Sequence, residues 1–286
     1  MIKIRFFSSF CDQETCIEAY VRVSELKSDP LFNTKYCFVT TEDYTHAIIL
    51  NTAMPILTIP KENVVGLAFE PMQFLHLNFE FIEYAKKHIG VYFIGEKPNT
   101  FPDLFKEHHG YMWHINVKES DPEKNRLMSI MISDKVFAEG HKYRHILCSA
   151  ILQTNLPIDI YGRGCKYYYF LNDPRVKGEF KEDEPYLNYQ YHIAIENYKS
   201  QHYFSEKITN SLLCKTVPVY LGCKSQTIDL YFPNKVIHLS GDIDKDMQLL
   251  YDICLKPEYY KKHIDVEEVK KTISFSSLVK ELHWIL

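Results

Sequence analysis

The densest run of residues able to do chemistry lies between positions 191 and 222. An apolar stretch stops at Glu196-Asn197 and a polar loop follows. Ser205-Glu206-Lys207 then opens a helical pattern, and Val217-Pro-Val-Tyr-Leu221 begins another strand. In this reading Ser205 is the helix N-cap and Glu206 sits in the first turn. Backbone N–H groups, the positive end of a helix dipole and the Lys207 ammonium then meet at one sheet end, a combination suited to a diphosphate. Glu196, Asn197 and Glu206 add acceptors for sugar or ribose hydroxyls. A capped surface helix with an exposed Glu–Lys pair accounts for the same residues without a ligand.

Other signals carry less. Asp242-Ile-Asp244 has the spacing of a metal-holding acidic pair, but aspartate at a loop-to-helix junction is ordinary capping. His108, His109 and His114 lack an accompanying carboxylate motif and read as a loop cluster. Gly162-Arg-Gly164 is too short for a phosphate loop. The aromatic run Tyr167-Tyr-Tyr-Phe170 offers faces on which sugars stack, with a core or interface patch as the default explanation. No metal ligand set is expected.

Alternating β-rich and amphipathic segments must position these groups. Strands are expected at 2–7, 36–40, 46–50, 64–69 and 90–94, with helices over 14–26 and 73–87. The polar run 118–125 reads as a linker. Beyond it, strands are expected at 127–132, 157–161, 189–195, 217–221 and 235–239, helices over 142–152 and 205–214, and a mostly helical tail from Asp242. The fold class is therefore α/β, with two Rossmann-like domains, 1–122 and 123–286, facing across a cleft. Ligands of such sheets sit beyond the carboxyl ends of the strands.

Composition excludes several classes. Of the 286 residues, 33 are basic and 37 acidic, for a formal charge of −4, which argues against a cationic nucleic-acid surface. A hydrophobic fraction of 46% is that of an ordinary globular chain. The eight cysteines are irregularly spaced with no C-x-x-C, so they read as mostly buried, reduced thiols. The most apolar stretch, 47–59, is broken by Asn51 and Pro55 and is too short to span a bilayer. With no leader pattern at the start, the expected location is cytoplasmic.

The 191–222 segment resembles the donor-binding motif of the glycosyltransferase family 10 α-1,3/4-fucosyltransferases. That pattern is a strand ending in Phe-Glu-Asn, then Tyr-x-Thr-Glu-Lys, a helix, Val-Pro-Val/Ile and Gly. This chain reads Ile195-Glu196-Asn197, Tyr203-Phe204-Ser205-Glu206-Lys207, Val217-Pro218-Val219 and Gly222 in the same order. Upstream, Lys142-Tyr-Arg144-His-Ile-Leu147 ahead of Ile158-Asp-Ile-Tyr-Gly162 resembles the family's helix with a donor-binding arginine and its following strand. Arg144 would then lie in the first turn of a helix and grip a phosphate bidentately, the plain alternative being a solvated surface arginine. Glu70-Pro71 matches the family's Glu-Ser-Pro with the serine missing, which makes Glu70 the counterpart of the proposed catalytic base. A carboxylate capping a helix that begins near Pro71 is the rival reading.

The resemblance implies a GT-B type fold, a C-terminal donor-binding domain and an N-terminal acceptor-side domain. It implies inverting, metal-independent transfer of fucose from GDP-fucose to a saccharide hydroxyl of an oligosaccharide or glycan. Arg144, Glu196, Asn197, Tyr203, Ser205, Glu206 and Lys207 would bind the donor, and Glu70, Arg144 and Lys207 would be catalytic. Another nucleotide sugar such as UDP-xylose, or a non-catalytic carbohydrate- or nucleotide-binding module, remain the alternatives.

Overall fold

A computed structural model describes residues 1–23, 31–109 and 121–284. The chain divides into two compact units. The first comprises residues 1–116, 200–205 and 270–286, the second 117–199 and 206–269. The tail from Lys270 thus groups with the first unit, whereas the division at 122/123 had kept it with the second.

The first unit holds a six-stranded sheet in the order β2-β1-β3-β4-β5-β6. Its strands are β1 (Ile2–Ser8), β2 (Tyr36–Phe38), β3 (His46–Leu50), β4 (Val64–Leu67), β5 (Val91–Ile94) and β6 (Phe105–Glu107). Their pairings are parallel. The helices are α1 (Gln13–Val23), α2 (Met72–Leu75) and α3 (Phe79–His88). The expected helix over 73–87 is therefore two helices. His76 adopts a left-handed conformation (φ 50°), and the Asn78 side chain accepts from Phe81 N to start α3 afresh. The expected end of α1, at 24–26, lies outside the described residues, as do the first residues of the linker (118–120) and His114.

Strand alternation sorts this unit's core onto two faces. Ile4, Phe6, Ile48, Leu50, Val65, Leu67 and Phe93 line one; Ala47, Ile49, Val64, Tyr92 and Ile94 line the other. Phe81, Ala85 and Ile89 cover the second face from α3 and its end. The first face is covered by Cys16 and Tyr20 of α1 together with Phe275, Leu278 and Val279 of a C-terminal helix. The Phe275 ring lies 5.3 Å from both Tyr20 and Phe38 and 5.9 Å from Tyr36. Burying that apolar face is what draws the tail to the first unit.

The second unit holds a six-stranded sheet in the order β12-β11-β10-β7-β8-β9. It comprises β7 (Arg126–Met131), β8 (Ile158–Tyr161), β9 (Val176–Gly178), β10 (Tyr189–Ser200), β11 (Val217–Cys223) and β12 (Ile237–His238). The helices here are α4 (Glu139–Leu152), α5 (Glu206–Leu213), α6 (Ser225–Tyr231), α7 (Ile243–Leu255) and α8 (Pro257–Tyr260). The chain then passes through α9 (Val266–Ile273) into α10 (Phe275–Glu281), the tail helix already described. Strand order reverses between β7 and β10, the point at which ligands of open α/β sheets gather. Both units are thus Rossmann-like, with helices serving parallel sheets. Among the described residues no helix is long and apolar enough to cross a membrane.

Candidate active site

The switch point of the second unit is built by close backbone approach. Gly140, in the first turn of α4, faces the end of β10: a Cβ there would fall 1.8 Å from the Glu196 carbonyl oxygen. Gly222 on β11 does the same from the other side, where a Cβ would lie 2.4 Å from Glu196 Cγ. Only glycine lets the helix start and both strands converge on Glu196. The Glu196 side chain is fully buried, and its Oε2 lies 3.5 Å from Lys207 Nζ. Tyr220 Oη donates to Glu196 Oε1 at 3.5 Å.

Lys207 also pairs with Glu206 Oε1 at 3.0 Å, and its side chain is 16% exposed. Burial opposes its charge, but the carboxylates of Glu206 and Glu196 outweigh that and raise its pKa, so the ammonium persists. Arg144 is buried; its Nη2 donates to Asn197 Oδ1 at 2.7 Å and its Nε to the Gly140 carbonyl at 3.1 Å. The two sequence segments that suggested a phosphate site are thus joined by a direct hydrogen bond. Burial pulls the Arg144 pKa down, against the attraction of Glu196 and Glu206. Nearby, His141 is pushed down to about 4 by burial and by the charges of Arg144, Lys135 and Lys207.

The geometry corrects two expectations. Helix α4 starts at Glu139, three residues earlier than expected, so Arg144 lies in its second turn. The first turn is left to backbone N–H groups, and the N-cap, Ala138, has no side-chain acceptor to give them. Strand β10 runs on to Ser200 instead of ending at Glu196, and the loop before α5 is only residues 201–205.

Beside this cluster lies a pocket of about 310 Å³. Its walls are Gly140, Lys142, Tyr143 and Ile146 from α4, Glu196 and Lys199 from β10, Leu221 and Gly222 from β11, and Gly241 beyond β12. Buried Asp246 on α7 holds one wall: it accepts from Tyr143 Oη at 2.5 Å, Ser240 N at 2.7 Å and Gly241 N at 2.9 Å. The sequence reading missed Lys142, Tyr143, Lys199 and Asp246 as site residues. A helix start placed at Glu139 would have found the first two, since they follow Gly140 on the turn that faces β10. Asp242 caps α7, its side chain accepting from Lys245 N. Among the described residues no group of three or more His, Cys, Asp or Glu converges as a metal site.

Glu70, Tyr203 and Ser205 belong to the first unit. Glu70 is half-buried just beyond β4. The backbone leading to it is pinned: Ala68 N donates to Phe93 O, Phe69 N to Asn51 Oδ1, and Tyr203 Oη to Phe69 O at 3.2 Å. Tyr203 is buried and its hydroxyl serves that strand end. Helix α2 is N-capped by Pro71 without a side-chain cap. Ser205 is fully buried where the chain passes from one unit to the other.

Two Rossmann-like units with six-stranded sheets form an α/β fold shared with solved glycosyltransferases of the GT-B type. Solved structures with the same fold include an alpha1,3-fucosyltransferase with GDP (14% identity, 98% of this chain and 90% of that chain covered, TM-score 0.55). Anabaena Alr3699/HepE in complex with UDP and glucose is similar over all of both chains (11% identity, TM-score 0.58). At these identities the likeness shows the fold. The sequence model of glycosyltransferase family 10 (fucosyltransferase), C-terminal, matches residues 121–273, more than half of the chain. The chain belongs to that family.

Proposed function

We propose that the protein is an inverting glycosyltransferase that moves fucose from GDP-fucose to a saccharide hydroxyl. The observation that carries the reading is the half-buried cluster in which Arg144 meets Asn197, and Lys207 meets Glu196 and Glu206, at the strand-order switch of the second sheet. Inverting transfer requires positive groups where charge builds on the departing diphosphate. Arg144, Lys207 and the α4 N-terminus supply them. Glu196, Asn197 and Glu206 accept from donor hydroxyls, with Ser205 and Tyr203 setting the entry to α5. The pocket beside the cluster takes the nucleoside.

Transfer also requires a base for the acceptor proton. Glu70 fills that role in the first unit, which serves the saccharide acceptor. Because fixed cations meet the diphosphate charge, the reaction runs without a divalent ion. No described helix spans a membrane, and the thiols are free, in keeping with a cytoplasmic enzyme.

The test is transfer from GDP-fucose to a panel of galactose- and glucosamine-containing acceptors, with and without EDTA, beside calorimetry with GDP and UDP. Product formation resistant to EDTA, with GDP bound more tightly than UDP, is the expected result. Preference for UDP would reassign the donor. Binding without turnover on any nucleotide sugar would make the chain a non-catalytic module.

A further inference from the structure

Helix α1 opens with a device that brings two sulfur atoms together. Asp12 caps it: Oδ1 accepts from Thr15 N at 2.7 Å, and its carbonyl accepts from Cys16 N at 3.2 Å. With this cap, the preceding residue and the fourth helical residue meet across the first turn, where apolar side chains ordinarily staple a helix start. Here those residues are Cys11 and Cys16, and their Sγ atoms lie 3.0 Å apart.

The two thiols are not equivalent. Cys11 is half-buried, donates to Ser8 Oγ at 3.3 Å, and lines an open pocket of about 680 Å³ at the carboxyl ends of β1 and β3. Cys16 is fully buried. Burial, and then contact with Cys11, raises the Cys16 pKa and keeps it protonated. One sulfur is reachable from solvent, and the other waits behind it.

We propose that Cys11 and Cys16 form a redox-active dithiol, a modification site that a peroxide converts to an intramolecular disulfide. The Cys11 sulfur attacks a peroxide oxygen; the O–O bond breaks, Cys11 becomes a sulfenic acid and, for hydrogen peroxide, water leaves. The Cys16 sulfur then attacks the Cys11 sulfur. The S–S bond forms, the S–O bond breaks, and the departing hydroxide takes the Cys16 proton to leave as water. Two thiols are oxidised and one peroxide is reduced to two waters. Closing the contact to a bond of about 2.0 Å asks for a shift of only about 1 Å. Asp12, Gln13 and Glu14, which line the same pocket, lie inside the loop so closed.

The experiment exposes the full chain to hydrogen peroxide under native conditions, then quenches, denatures, alkylates and digests with a glutamyl endopeptidase. Cleavage after Glu14 separates the two cysteines, so only a disulfide keeps their fragments joined. The expected product is the joined pair, lighter by two hydrogens and released by dithiothreitol, with the other cysteines alkylated. Cys16→Ser should leave Cys11 as a sulfenic acid trapped by dimedone. Asp12→Ala, which removes the cap, should slow closure severalfold. Should Cys16→Ser fail to fold, Cys11→Ser carries the same test: it should abolish the linkage and leave Cys16 unoxidised. Full alkylation of both residues after peroxide exposure, or oxidised Cys11 beside an intact Cys16 thiol in the wild type, would reduce the pair to a hydrophobic staple and overturn the proposal.

Discussion

The two units share one plan and differ in what stands at the strand-order reversal. Both have a six-stranded parallel sheet, and both reverse order once, between β1 and β3 in the first and between β7 and β10 in the second. In the second unit the reversal is tightened by Gly140 and Gly222 and filled with paired charges, Arg144 and Lys207 against Glu196 and Glu206. In the first it opens on a wider pocket lined by Asp12, Gln13, Glu14 and Thr40, with no lysine or arginine on its wall among the described residues. The framework is generic, and the side chains at the reversal decide the ligand.

The largest effect is expected from the first unit's core. Phe275→Ala removes the ring that packs on Tyr20, Tyr36 and Phe38, and should cost about 3–5 kcal/mol of that unit's stability by denaturant unfolding. If the donor site proposed for the second unit holds, GDP should keep its Kd wherever the variant remains folded. A loss of both together would show that the units do not divide stability from binding.

Next comes Lys207→Ala, expected to cut transfer about 10²–10³-fold, as deletion of one charge-stabilising donor does. It should also weaken GDP binding, measured by calorimetry. Glu70→Gln should lower kcat while leaving GDP affinity unchanged. Wild-type turnover by folded Glu70→Gln would end its assignment as the base.

A smaller effect separates the units by pH. Burial lowers His192 to about 3 and His141 to about 4, both in the second unit, from an ordinary 6.5. In that window the unfolded chain binds more protons than the folded one, so stability is present above 6.5 and is lost as pH falls toward 4. Lys124 acts in the alkaline range. Its ammonium donates to Leu187 O, Cys214 O and Thr216 Oγ1, and burial lowers it to about 8. Between that value and the ordinary 10.5 the unfolded chain again holds more protons, so this group makes stability rise with pH. Thermal melts of the wild type and Lys124→Met across both windows check the two slopes. The smallest expected change is at His141: a bound diphosphate offsets the charges of Arg144 and Lys207, so its pKa should move upward on GDP binding, read by NMR titration.

Local pattern explains what the sequence could and could not reveal. Strand periodicity identified the main strands of both sheets, and the 191–222 motif holds residues that the fold brings side by side, Lys207 beside Glu196 and Glu206. The start of α4 was hidden because Ala138-Glu139-Gly140 offers no capping side chain and carries a poor helix former. That three-residue error moved Arg144 by a turn and concealed the glycine contact with Glu196. Strands β6 (Phe-Lys-Glu) and β9 (Val-Lys-Gly) were unreadable because each short segment interrupts its apolar residue with charge or glycine, whereas the equally short β2 (Tyr-Cys-Phe) is apolar throughout. Tyr203 sat within the donor motif by sequence, yet its hydroxyl supports the strand end before Glu70, a tertiary contact that no local spacing encodes. The affiliation of α10 was likewise invisible: its apolar spacing gives a helix but does not say which sheet it covers.

That affiliation matters to a chain made on a ribosome. Residues 1–116 emerge first, yet one face of their sheet has only α1 for cover until Phe275, Leu278 and Val279 have been translated. At about 5–20 residues per second the intervening stretch takes many seconds to appear. Throughout that interval the nascent first half presents greasy surface of the sort that holdase chaperones bind, while the later half already has its whole sheet in hand.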